Sequence, residues 1–205
     1  MLRFNTLVKP MDNAKVRQAV VMALKQKPFL EANVGSPDYY RLCKSPFPCG
    51  SPLETTKGWE DKLSGNVARA KELLAEAKYD GTPIVMPQPT DLGVMKHIPA
   101  VAKAQLEKVG IKIQLDLKQG SEFVDALLGG KFAAVFGGVG NVQKFPTRIT
   151  TNSIYRTTNN PVLGNPHPFP AYVAAMQRVD TTLGSGEPVK AAYDNLNKVL
   201  VESAF

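Results

Sequence analysis

The sequence predicts an α/β fold, a mainly parallel sheet flanked by helices. Three short apolar runs carry the prediction: "PIVM" (residues 83–86), "IKIQLDL" (111–117) and "KFAAVFGG" (131–138). Stretches with apolar residues at helical spacing separate them. Strand, helix, strand, helix, strand in succession calls for parallel pairing through right-handed crossovers.

The elements follow in order. "FNT" (Phe4–Thr6) reads as a strand. Asp12 or Asn13 is placed to cap a helix whose apolar stripe is Val16, Ala19, Val20, Ala23 and Leu24, ending before Pro28. Residues 34–64, rich in Pro, Gly and Ser, read as a long irregular excursion. Asn66 caps a second helix with Val67, Ala70, Leu73, Leu74 and Ala77 on one face. After "PIVM", residues 95–109 carry Ile98, Val101, Ala102, Leu106 and Val109 at helical spacing. "IKIQLDL" alternates strictly, as a strand with one apolar face does. Ser121 is read as the cap of "EFVDALLGG", and residues 137–170 as a second long loop. Two helices broken at "LGSGEP" occupy 170–203.

Composition narrows the function classes. The 25 Lys and Arg against 18 Asp and Glu give a net charge of +7. The basic residues are interspersed with acidic ones along the helices, a solvated-face pattern rather than the basic, aromatic-laced patch of a nucleic-acid binder. No apolar run approaches the length of a membrane span, and the first residues lack the layout of a signal peptide.

"CKSPFPCG" sets Cys43 and Cys49 in one short loop stiffened by Pro46 and Pro48. The prolines hold two sulfurs within reach of a disulfide, which implies an oxidising compartment; two reduced loop thiols are the alternative. With no nearby His or third Cys, the pair cannot complete a zinc site, and no metal is expected.

Catalytic signals are weak. "GGVGNV" (Gly137–Val142) follows a strand, but Gln143 stands where a dinucleotide fingerprint needs its third Gly, and Pro146 follows. "LGSGE" lacks the spacing of a nucleophile elbow. His97 and His167 lie far apart in unlike contexts. Nothing assembles a nucleophile, base and oxyanion hole, so no enzyme and no cofactor are expected.

"FNTLVKPMDNAKVRQAV" closely resembles the start of the last lobe of extracellular solute-binding proteins of family 5, the peptide and nickel type receptors of ABC importers. "NVARAKELLAEAKYDG", "AKAQLEKVGIKIQLDL", "FAAVFGGVG" and "AAYDNLNKVLVESA" resemble later segments of that lobe, in order and at the intervals of the family. The resemblance implies a periplasmic-binding-protein-like fold (type II, cluster C-like). It implies that residues 1–205 are a single α/β lobe, a fragment of a two-lobe receptor whose first lobe, signal peptide and last strand are not in this sequence.

It also implies where a ligand would sit, namely loops at the carboxyl ends of parallel strands. One, after "PIVM", holds Gln88, Pro89, Thr90 and Asp91; the other, after "AAVF", holds Gly137, Gly138, Val139, Gly140 and Asn141. Tyr39 and Tyr40 are candidates for an amphipathic wall. Two departures stand out. Peptide-binding relatives have a Trp where Val139 stands, then an acidic anchor where "NVQKFPT" (Asn141–Thr147) has none; "PQPTD" lacks the Arg that some dipeptide-type members use. Lys144 and Arg148 point instead to a neutral or acidic ligand, or simply to solvent. The expected function is capture of a peptide-like or other small polar solute for a membrane permease, in the periplasm or tethered outside the cell. The alternative is a ligand-sensing module of the same fold.

Overall fold

The computed structural model describes residues 2–45, 47, 49–93, 95–137, 157–164 and 169–203, which fall into two compact units. The first holds the described residues of 2–42 and 61–137; the second holds those of 43–60 and 157–203.

In the first unit, β1 (Leu2–Phe4) runs antiparallel to β4 (Ala134–Phe136), and β2 (Ile84–Pro89) runs parallel to β3 (Ile113–Lys118). Ala133 joins the two pairs: its N–H donates to the Val85 carbonyl at 3.0 Å and its own carbonyl accepts from Asn5 N–H at 2.9 Å. The first strand therefore sits two residues earlier than "FNT" predicts. Asn5 is instead the corner, its amide donating to Gly130 O at 2.9 Å and accepting from Leu7 N–H at 3.0 Å.

Helix α1 (Ala14–Ala23) starts at Asn13, whose side chain accepts from Lys15 N–H. Its buried face is Val16, Ala19, Val20, Met22 and Ala23, joined unexpectedly by Arg17, only 2% exposed. The Arg17 guanidinium donates to the carbonyls of Met11 at 2.6 Å and Asp12 at 3.3 Å. It thus pins, from inside, the turn that carries the cis Lys9–Pro10 bond. Burial lowers the Arg17 pKa to about 10, against an opposing pull from Asp12.

Helix α2 (Gln26–Val34) was not predicted. Pro28 reads as a terminator, yet it lies in the first turn, where its missing N–H has no helical partner to lose. The chain returns at Ser64–Asn66, where Asn66 N–H bonds Met22 O at 2.9 Å. The Asn66 side chain caps α3 (Val67–Glu76) by accepting from Arg69 N–H, as predicted. Helix α3 packs on α1, with Lys15 and Glu76 paired at 2.8 Å at the solvent margin.

Helix α4 (Ile98–Leu106) passes through a 3-10 turn, Glu107–Val109, to Gly110, whose φ of +94° suits glycine and turns the chain into β3. Ile84, Met86, Ala102, Leu106 and Ile111 are fully buried and form the heart of this unit. Helix α5 (Gly120–Gly129) is capped at Gln119, not Ser121. The Gln119 N–H donates to the Glu122 carboxylate at 3.4 Å, so Ser121 lies inside the first turn.

The second unit centres on α6 (Pro170–Thr181) and α7 (Glu187–Ser203), which pack together. Tyr172, Ala175, Met176 and Val179 are the buried face of α6; Ala192, Tyr193, Leu196, Val199 and Leu200 are that of α7. Cys43 and Cys49 form a disulfide, with Cα atoms 6.0 Å apart. Between them Phe47 is 1% exposed, its ring edge-on to Tyr193. One turn further along α7, the buried Asn197 amide accepts from Trp59 Nε1 at 2.8 Å and donates to Lys57 O at 2.7 Å. Another turn on, Val201 lies against Gly58. Tyr193, Asn197 and Val201 thus hold the 43–60 segment along one face of α7.

Candidate functional site

Parallel pairing puts the carboxyl ends of β2 and β3 at one edge, with Gln88 opposite Leu117 and Pro89 opposite Lys118. "MPQPT" governs the local hydrogen bonding there. Pro87 and Pro89 have no N–H, so the strand end flanking Gln88 offers no adjacent main-chain donors. Thr90 spends both of its donors on one acceptor: its N–H and Oγ1 reach Lys118 O at 2.9 and 3.2 Å.

The Gln88 side chain has a fixed orientation. Its Nε2 donates to the Lys96 carbonyl at 2.8 Å, stapling the loop that leads into α4. Its Oε1 is buried and has no hydrogen-bond partner among the described residues. By strand alternation Gln88 continues the row of Ile84 and Met86, and Leu117 continues that of Ile113 and Leu115. Ile84 and Met86 are at 0% exposure whereas Leu117 is at 64%, so the buried face of the pair opens at this edge.

Asp91 lies beside the start of α5: a methyl placed on Gly120 would sit 3.2 Å from both of its carboxylate oxygens. A carboxylate there complements the partial positive charge of the helix N-terminus. Asp116 and Lys118 pair with each other at 3.0 Å.

Gly137 follows β4, close to the Leu127 side chain. Gly138, Val139, Gly140 and Asn141 lie outside the described residues, as do Lys144 and Arg148. Tyr39 ends a 3-10 turn, Pro37–Tyr39, and is 78% exposed; its neighbour Tyr40 has a buried hydroxyl. Their main-chain hydrogen bonds stay within Ser36–Tyr40, so nothing described draws them to the edge of β2 and β3. What the sequence did not single out is Leu117, whose exposure follows from its place at the end of an alternating strand, and the Lys96 carbonyl, which fixes the Gln88 amide.

The architecture is that of a periplasmic-binding-protein-like α/β lobe. A substrate-binding protein of an ABC transporter from Listeria monocytogenes, CtaP, superposes with a TM-score of 0.83 at 17% identity, covering 99% of this chain and 41% of that one. NikA from Brucella suis, solved with Fe(III)-EDTA, superposes with a TM-score of 0.77 at 18% identity, covering 99% and 43%. In sequence, the chain is 34% identical over 118 residues to a "probable peptide ABC transporter periplasmic-binding protein" of Sinorhizobium fredii, a match covering 56% of this chain and 22% of the relative.

The chain belongs to the bacterial extracellular solute-binding proteins of family 5, matching the family's middle region over residues 1–161. It spans about two-fifths of the length of the solved relatives. The family is one of solute-binding proteins, not enzymes. Among the described residues no helix is long and apolar enough to cross a membrane.

Proposed function

We propose that the chain is one lobe of a two-lobe receptor that captures a peptide-like or other small polar solute outside the cytoplasm and delivers it to the permease of an ABC importer. The observation that carries the reading is the open edge where β2 and β3 end together, in a chain of the solute-binding family. Contacts from such an edge and from a facing lobe would hold the closed form of a clamshell against the open one. The name of the S. fredii relative supports a peptide, while the NikA complex is with a metal chelate on the same fold, so the polar-solute class is kept broad. On this reading the candidate contacts are Gln88, Thr90, Asp91, Gly137–Asn141, Tyr39 and Tyr40.

The test is a thermal-shift panel of di-, tri- and oligopeptides, opines and metal chelates against the chain extended to the length of its relatives, with mass spectrometry of anything co-purified. One class should raise the melting temperature in a concentration-dependent way. A receptor that purifies empty and shifts with none of them would overturn the proposal.

A further inference from the structure

We infer that Gln88 is a specificity-determining acceptor for an amide or hydroxyl hydrogen of the ligand, and that Leu117 beside it receives an apolar group. This deepens the receptor reading above and rests on it. Three observations converge. The Gln88 Nε2 is committed to Lys96 O at 2.8 Å, which fixes the amide so that Oε1 is the group left over. That oxygen is buried with no partner among the described residues. The donors next to it in the chain are already spent or missing: prolines stand at 87 and 89, and both donors of Thr90 go to Lys118 O. Native proteins rarely leave a buried acceptor unmade, because the loss of hydration is not returned. In a receptor, a group brought by the ligand returns it.

The neighbouring position defines the rest of the ligand. Leu117, cross-strand from Gln88 on the same face, is 64% exposed where Ile113 two turns of the pleat earlier is 5%. An acceptor flanked by an exposed leucine, with the nearby carboxylate of Asp91 facing the α5 N-terminus and Asp116 paired with Lys118, favours a neutral group over a charged one. The class is therefore an amide N–H carrying an adjacent apolar side chain. Oε1 is closed to solvent in this structure, so a ligand donor reaches it only once its cover is displaced, which the structure of a complex reads directly.

The probe is N-acetyl-leucyl-leucinamide, together with two analogues in which each secondary amide N–H in turn is replaced by an ester oxygen. Each is titrated by calorimetry against the chain extended to the length of its relatives. With the natural residue, one of the two replacements should weaken binding about tenfold, since a site built to bond an N–H rejects the analogue lacking it. In Gln88→Met that discrimination should vanish, and in Leu117→Ser all three probes should weaken together with the ratio kept. A crystal structure of the complex answers the same question without a variant, by placing a ligand nitrogen within ~3.2 Å of Gln88 Oε1. Equal binding of all three probes, or discrimination that survives Gln88→Met, overturns the assignment and leaves the receptor reading standing. No binding of any probe, with another class raising the melting temperature in the panel above, overturns the amide class alone.

Discussion

The rings of Phe47 and Tyr193 meet edge to face, centroids 5.2 Å apart and planes at 90°. Phe47 sits inside the loop closed by Cys43–Cys49, and Tyr193 on the buried face of α7, so the disulfide fixes where the Phe47 ring can go. Cross-linking so short a loop contributes about 2 kcal/mol by restricting the unfolded chain. Reduction, or the double change Cys43→Ser and Cys49→Ser, should lower the unfolding free energy by that amount, read as a lower urea midpoint at unchanged m. Phe47→Ala should cost about 3–4 kcal/mol in the oxidised protein and less in the reduced one, because the two features act on one contact. Equal costs in both backgrounds would mean that Phe47 is placed independently of the disulfide.

Asn197 gives the second hold on that segment and can be followed optically. Trp59 is the single tryptophan, and its Nε1 donates to Asn197 Oδ1. Asn197→Ala leaves the Trp59 donor and the Lys57 carbonyl without this partner, at a cost of about 2–3 kcal/mol. Its emission should move to the red under native conditions. An unchanged spectrum would show that the indole is held by its packing alone.

Arg17 tests how a buried charge is tolerated. Its guanidinium is desolvated yet bonded to Met11 O, so deleting it strands a carbonyl in the interior. Arg17→Ala should destabilise the chain by about 3 kcal/mol, and Arg17→Lys by nearly as much: one guanidinium nitrogen, Nη1, makes both bonds, but a lysine ammonium is more strongly hydrated and costs more to bury in its place. Chemical denaturation of both variants decides it; a near-neutral Arg17→Lys would reduce the role to one of charge.

Acid sensitivity should trace to two carboxylates. Hydrogen bonds from Lys15 and Arg69 hold Glu76 below its usual range, and those from Thr82 do the same for Asp80. A carboxylate whose folded pKa is depressed contributes stability above its unfolded pKa and loses it as pH falls through the folded one. The denaturation midpoint should therefore be flat near neutrality and fall below about pH 4.5. Glu76→Gln and Asp80→Asn should each make that fall shallower; an unchanged acid limb in both would place the sensitivity elsewhere.

Much of this fold was legible because the relevant rules are local. Asn13 and Asn66 cap where an Asn before an apolar stripe should, and the Gly-rich "LGSGEP" divides the last two helices. The misses also have physical causes. Pro28 looks the same in sequence whether it ends one helix or opens another. Pro87 and Pro89 hid the length of β2, because a proline pays no hydrogen-bond cost where its missing N–H has no strand to reach. Arg17 reads as the polar face of an amphipathic helix, and only the folded turn of Met11 and Asp12 gives it buried acceptors. At the candidate site, the sequence supplies Gln88 as a residue type. Which end of its amide is spoken for depends on Lys96, eight positions away, and no periodicity encodes that.

The outer side of β3 bears on how this chain behaves at high concentration. The carbonyls of Lys112 and Lys118 turn toward β2, so that of Ile113, of opposite parity, turns away, and the Lys103 ammonium takes it at 2.8 Å. A strand whose outward main chain is partly occupied by a lysine makes a poor template for a strand from another molecule. Neutralising that ammonium, as in Lys103→Met, would uncover the Ile113 carbonyl at the start of the strand whose far end carries the exposed Leu117, and turn a quiet margin into a seed for intermolecular β-pairing.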